Sequence, residues 1–175
     1  MKSLMQVALG SDWDKLPPSL QAHYRFGVTV DKGFLDIEYP SYMQPYLSVL
    51  RIFGALVDRK GLNLPSVVEK KNIGDRQYWR RTVDCPEGKR ILFNSFWVLD
   101  ESRRFIEFVN PVLGLQMAVH VEDGKLYYRG IRFVAKLGRL LLPIPEWLAL
   151  GHTTIIEEAI DDTHFAMDFR LTHPL

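Results

Sequence analysis

The residues best placed to do chemistry sit on short runs that read as strands. In Trp79-Arg80-Arg81, strand geometry puts Trp79, Arg81 and Val83 on one face and Tyr78, Arg80 and Thr82 on the other. One guanidinium therefore travels with the indole. Arg81 could hold a ligand carboxylate or phosphate through its bidentate fork. It could equally pair with Glu107 or Glu158 and tie neighbouring strands together. Both readings require a matched charge, because an unpaired buried one is too costly. Ser95 shares its strand face with Phe93 and Trp97, and Glu107 points with Phe105 and Val109. Glu157 and Glu158 point to opposite faces. A carboxyl turned inward could serve as a general acid or base, although a salt bridge or a solvated strand face is the commoner use. Trp79, Arg81, Ser95, Glu107 and Glu158 form the candidate ligand-binding set.

Other chemistry finds little support. There is no Gly-x-Ser-x-Gly elbow, no Gly-x-Gly-x-x-Gly and no Walker loop, since Gly88-Lys89 is followed by Arg90. Cys85 lies beside Pro86 in a turn with no histidine near it in sequence. The histidines (23, 120, 152, 164 and 173) lack tight ligand spacing. No metal and no cofactor are expected. Arg129, Arg132, Lys136 and Arg139 precede Leu140-Leu141-Leu142-Pro143-Ile144-Pro145-Glu146-Trp147-Leu148, a pattern open to membrane docking. Its prolines break a regular helix, so packing over the core is the favoured reading.

The chain that must position these groups has 175 residues, 47% of them hydrophobic, enough for one domain with a full core. Formal net charge is +1, from 22 basic and 21 acidic residues, which argues against a nucleic-acid surface. One cysteine excludes an internal disulfide and fits a reducing compartment. The N-terminus lacks a signal-peptide pattern, and no stretch reaches the ~20 apolar residues of a membrane span. The expected location is cytoplasmic.

Patterning divides the domain into a mainly helical part, residues 1–64, and an antiparallel β part, residues 65–175. Leu16-Pro17-Pro18 opens a helix that carries Leu20, His23 and Tyr24 and stops near Gly27. Phe26 to Tyr39 reads as a strand or a hairpin around Asp31-Lys32-Gly33. Ser41 to Lys60 has helical spacing, with Gly61 as its stop. Beyond Pro65 the period becomes alternating. Cys85-Pro86-Glu87-Gly88 joins one hairpin. Asp123-Gly124 joins another through a type I′ turn, fixing Val121 opposite Leu126, Val119 opposite Tyr128 and His120 opposite Tyr127. A third hairpin turns through 161–164. The expected fold is α+β: a strongly curved antiparallel sheet or half-barrel of seven to eight strands packed on N-terminal helices, chiefly the Ser41–Lys60 helix. Ile91 to Leu99 is apolar on both faces, so the sheet needs cover twice. A second helix, the sheet's own curl or a ligand could provide it.

An ordered set of short motifs resembles a bacterial family catalogued as domain of unknown function number 4166. These are Tyr78-Trp79-Arg80-Arg81 with Ser95, Glu107 with Asn110-Pro111, Leu137-Gly138 leading to Leu142-Pro143 and Trp147-Leu148, then Glu158, Asp161-Asp162, Phe165 and His173-Pro174-Leu175. Thr163-His164 stands where the family usually shows Gly-Arg, and the family usually continues past His-Pro-Leu into a closing strand. The resemblance implies a domain found alone or behind a saccharopine-dehydrogenase-like oxidoreductase domain, with no assigned activity. Two functions remain in view. One is binding of a small apolar or amphipathic molecule between sheet and helix. The other is an interaction module that pairs with itself or an oxidoreductase through an open sheet edge. An enzyme using Arg81 with Glu107 or Glu158 is a weaker third.

Overall fold

The computed structural model describes residues 1–52, 54, 58–138, 140–145 and 151–172. Its first helix was not foreseen. In α1 (Leu4–Leu9), Ser3 Oγ accepts from the Gln6 amide at 3.2 Å while Gln6 Oε1 accepts from the Ser3 amide at 2.8 Å. This reciprocal cap satisfies two donors that a short helix would leave free. After a 3-10 segment, Gly10–Lys15, the helix α2 (Pro18–Tyr24) starts where Pro18 sits in the first turn.

The strands are β1 (Val28–Ile37), β2 (Gly61–Ile73), β3 (Arg76–Asp84), β4 (Arg90–Leu99), β5 (Phe105–Phe108), β6 (Leu113–Glu122), β7 (Lys125–Leu137), β8 (Leu140–Ile144), β9 (His152–Ala159) and β10 (Phe165–Thr172). They form one curled antiparallel sheet of ten strands among the described residues, in the order β1 to β7, then β9 and β10, with β8 also on β7. The α+β half-barrel holds, with more strands than the expected seven to eight. Residues 26–39 hold one continuous strand rather than a hairpin, and β2 opens at Gly61, ahead of Pro65.

Turn chemistry set the register where it was readable. Asp123 and Gly124 have φ of 49° and 72°, as a type I′ turn requires. Val121 faces Leu126, Val119 faces Tyr128, and the His120 and Tyr127 rings stack at 5.0 Å. On the edge away from β6, β7 serves two partners: Leu126–Arg129 pairs with β9, and Phe133–Leu137 pairs with β8. Gly130 lies at the switch, where a Cβ would come within 3.0 Å of the Thr153 carbonyl oxygen.

The expected Ser41–Lys60 helix is shorter. A 3-10 turn, Ser41–Met43, leads into α3 (Gln44–Ile52), and Asp58–Lys60 is not helical. Gly54, at φ 75°, lies just beyond the helix in the left-handed conformation typical of helix ends, so Gly61 is not the stop. Phe53, Leu56 and Val57 fall outside the described residues. Leu47 is buried, but Tyr42, Val49 and Ile52 are exposed, so α3 is not the core element of the half-barrel.

That role belongs to α1 and α2. Met5, Leu9, Leu16, Leu20 and Tyr24 pack onto Trp79, Trp97, Phe105, Met117, Leu126 and Tyr128 on the inner face. Each large apolar side chain buried here contributes roughly 1.5–3 kcal/mol. Near its C-terminus α2 contacts both the β1 side and the β9–β10 side, so it acts as a stave across the open seam. The outer face supplies its own cover. Phe96 and Phe108 stack at 5.1 Å and pack with Val98, Ile106 and Val134, while Arg76 and Lys136 lie over the two rings.

Candidate functional site

Two polar clusters occupy the inner face, and Trp79 separates them. Lys70 Nζ lies 4.9 Å from the Trp79 ring, and Arg81 Cζ lies 4.7 Å from it.

The first cluster spans β3, β4 and β5. Arg81 donates to Ser95 Oγ at 2.8 Å and to Glu107 Oε1 at 3.0 Å, and Ser95 Oγ donates to the same Glu107 oxygen at 2.7 Å. Strand pairing explains the triangle: Trp79 faces Ser95, Arg81 faces Phe93, and Trp97 faces Glu107. The three polar side chains thus sit on neighbouring inward positions. Phe93 adds a second ring 5.1 Å from the guanidinium. The cluster is partly open, with 23% of the Arg81 side chain and 13% of the Glu107 side chain exposed. Of the two uses foreseen for Arg81, pairing with Glu107 is the one seen.

Four of the five candidate residues therefore come together. Glu158 does not: it faces away from Glu157 and pairs with Lys125 at 3.0 Å in an exposed contact. Its neighbour Glu157 is the inward carboxyl, and it belongs to the second cluster.

That second cluster lies under α2, and sequence reasoning missed most of it. Tyr24 donates to Glu157 Oε1 at 2.6 Å, and Tyr128 donates to the Tyr24 hydroxyl. On the other side of α2, Lys70 Nζ is 2.6 Å from His23 Nδ1 and 2.9 Å from Asp31 Oδ2. His23 Nδ1 is also 2.9 Å from Asp31 Oδ2. That oxygen meets the Lys70 ammonium as a close ion pair and the His23 ring as a close contact, neither as an aligned hydrogen bond. Lys70 also donates to the His23 carbonyl.

Burial governs the protonation of this cluster. Desolvation pushes Glu157 up to about 7 against the opposing pull of the Tyr24 hydrogen bond and Lys70. Desolvation lowers Lys70 to about 8 and His23 to about 4. For Asp31 desolvation acts upward, but the adjoining His23 and Lys70 outweigh it and hold the carboxyl low. Desolvation also raises the Tyr24 and Tyr128 hydroxyls far above their usual range. A neutral His23 ring that accepts from Lys70 on Nδ1 carries its hydrogen on Nε2. Nε2 is buried without a hydrogen-bond partner among the described residues, as are Glu157 Oε2 and both indole nitrogens, of Trp79 and Trp97.

The one sequence signal for this cluster is Lys70's place two residues after Val68. Register puts both inward, with Val68 facing Asp31 and Lys70 facing Trp79. The space beside Trp79 is filled by α1 and α2 side chains. A groove of ≈ 680 Å³ lies elsewhere, between Ile37–Pro40 and Lys60–Leu62. No helix among the described residues is long and apolar enough to cross a membrane. The stretch expected to pack over the core instead leaves Leu140, Leu141 and Leu142 exposed on β8, and its Arg139 and Glu146–Leu150 lie outside the described residues.

The family model described as "Domain of unknown function (DUF4166)" matches residues 16–175. The chain belongs to this family. No curated protein and no solved structure matches it.

Proposed function

We propose that this member of the family binds a small amphipathic molecule at the Arg81–Ser95–Glu107 cluster, with the polar head on the triangle and the apolar part along Phe93. The observation that carries this reading is the partial opening of one polar cluster between aromatic walls on a face otherwise filled by helices. Sites of this kind combine apolar lining with a few convergent polar groups. The paired charges refine the ligand class. Glu107 already neutralises Arg81, so a free carboxylate would have to displace it at a desolvation cost. A neutral head that both donates and accepts, such as a hydroxyl or an amide, matches the pair as it stands.

Thermal unfolding with dodecanol and with dodecanoate tests this. The alcohol should raise the melting temperature more than the acid, and Arg81→Ala should widen the difference, because the unpaired Glu107 carboxylate repels the acid. Native mass spectrometry should show the alcohol bound. Absence of binding by both probes would sink the proposal.

A second reading, an interaction module that pairs with itself or with an oxidoreductase domain, has its own observation. The two end strands of the main sheet path carry exposed apolar residues: Val28 and Phe34 on β1, Met167 and Phe169 on β10. Long apolar edges invite strand addition. Light scattering that gives a strict monomer over a wide concentration range would remove the self-pairing form.

A further inference from the structure

The His23–Asp31–Lys70 cluster has the components of a self-forming covalent link. We propose that Lys70 and Asp31 condense into an intramolecular isopeptide bond between β2 and β1, with His23 as the proton carrier. This inference is independent of the ligand-binding reading above.

Three features separate this pair from an ordinary surface ion pair. The amine is enclosed: the Lys70 side chain is 0% exposed and lies beside the Tyr24 and Trp79 rings. Its nitrogen is held 2.9 Å from a carboxylate oxygen, so the carboxyl carbon is one bond beyond the contact. Reacting groups held at contact distance gain much of the advantage of an intramolecular reaction. Finally, one His23 nitrogen touches both reactants, at 2.6 Å from the amine and 2.9 Å from the oxygen that would leave. A base so placed can take a proton from one and give it to the other.

The balance closes without a co-reactant. The Lys70 ammonium and Asp31 carboxylate together hold the atoms of an amide plus one water. A proton passes from Nζ through His23 Nδ1 to Asp31 Oδ2, and the freed amine adds to Cγ of the now neutral carboxyl. A second proton then passes from nitrogen to the same oxygen. The C–Oδ2 bond then breaks, water departs and the C–Nζ bond remains, with no change in oxidation state. The Asp31 side chain is 27% exposed, which gives the water an exit. The product removes two charges from an apolar site, where each is costly to keep.

Intact mass spectrometry of the purified full chain is the test. The mass should be lower than that of the sequence by one water, and digestion should yield a branched peptide joining residues 31 and 70. Asp31→Asn should lose one ammonia instead, because the amide nitrogen then leaves. Lys70→Arg keeps the charge, cannot form this bond and should show its full mass. A full mass for the folded wild-type chain after prolonged incubation would overturn the proposal. So would a water loss that survives Lys70→Arg, which would place the dehydration elsewhere, for example at Asp123-Gly124.

Discussion

The two polar clusters flanking Trp79 are built from similar side chains and have opposite characters. Arg81, Ser95 and Glu107 lie on three successive strands, match one another's charge and remain partly open. His23, Asp31, Lys70, Tyr24, Tyr128 and Glu157 are gathered from α2 and four strands and are mostly sealed beneath the helix. Protonation is strongly displaced in the sealed cluster, and burial is the largest cause for each of Glu157, Lys70 and His23. Displaced protonation often marks functional sites, but ion networks in a core produce it too. Here it marks the joint that holds α2 across the seam, whereas the partly open cluster lies next door. Accessibility, rather than the size of the perturbation, separates the two roles.

The largest effect should come from breaking the sealed cluster. Asp31→Ala leaves Lys70 enclosed without its counter-charge, and losses of this kind cost roughly 3–5 kcal/mol. Urea unfolding should place the variant near the limit of foldability, while Arg81→Ala stays well folded. Near-equal losses for the two variants would erase the distinction between joint and open site.

Changing pH should sharpen the contrast through Glu157. Its folded value of about 7 lies above the ordinary 4.5, so the stability it confers is full below 4.5 and declines as pH rises towards 7. His23 acts in the opposite sense. Its folded value of about 4 lies below 6.5, so its contribution is full above 6.5 and is lost as pH falls towards 4. The two slopes offset each other where the windows overlap. Glu157→Gln keeps an acceptor for Tyr24 and removes one slope. Its stability should climb between pH 4 and 6.5, where the wild type stays flatter. At mildly alkaline pH the variant should exceed the wild type by on the order of 3 kcal/mol. Parallel pH profiles for the two proteins would show that the Glu157 carboxyl is not the group held neutral.

The same division describes what could be read from sequence. The open cluster was legible because it follows from local rules: period-two alternation put Arg81 with Trp79, and the Cys85-Pro86-Glu87-Gly88 turn joined the strands that carry Arg81 and Ser95. The Asp123-Gly124 turn gave residue-level pairing for the same reason. The sealed cluster depends on a helix crossing between strands distant in sequence, which no local pattern encodes. Lys70 sits in Glu69-Lys70-Lys71-Asn72, which reads as solvated, and Asp31-Lys32-Gly33 reads as a turn. Choosing between Glu157 and Glu158 required knowing which face of β9 looked at α2. The length of α3 was misjudged because apolar spacing continues past Gly54, although the glycine's left-handed backbone ends the helix.

The smallest effect should come from Ser95, and it tests whether the open cluster is one unit. Ser95 Oγ both accepts from Arg81 and donates to Glu107, so Ser95→Ala removes two hydrogen bonds while leaving the ion pair in place. Glu107 Oε1 keeps its Arg81 donor and Arg81 keeps its carboxylate, so neither charge is stranded. A typical net loss for a hydrogen bond in this setting is about 1 kcal/mol. Arg81→Ala should cost more, because Glu107 then loses its counter-charge while mostly buried. If the three side chains act together, the double variant should lose less than the sum of the single losses, by at least ~0.5 kcal/mol. Strict additivity would mean that Ser95 merely neighbours the ion pair. The triangle would then reduce to a strand-tying salt bridge, and the ligand head would have only Arg81 and Glu107 to recognise it.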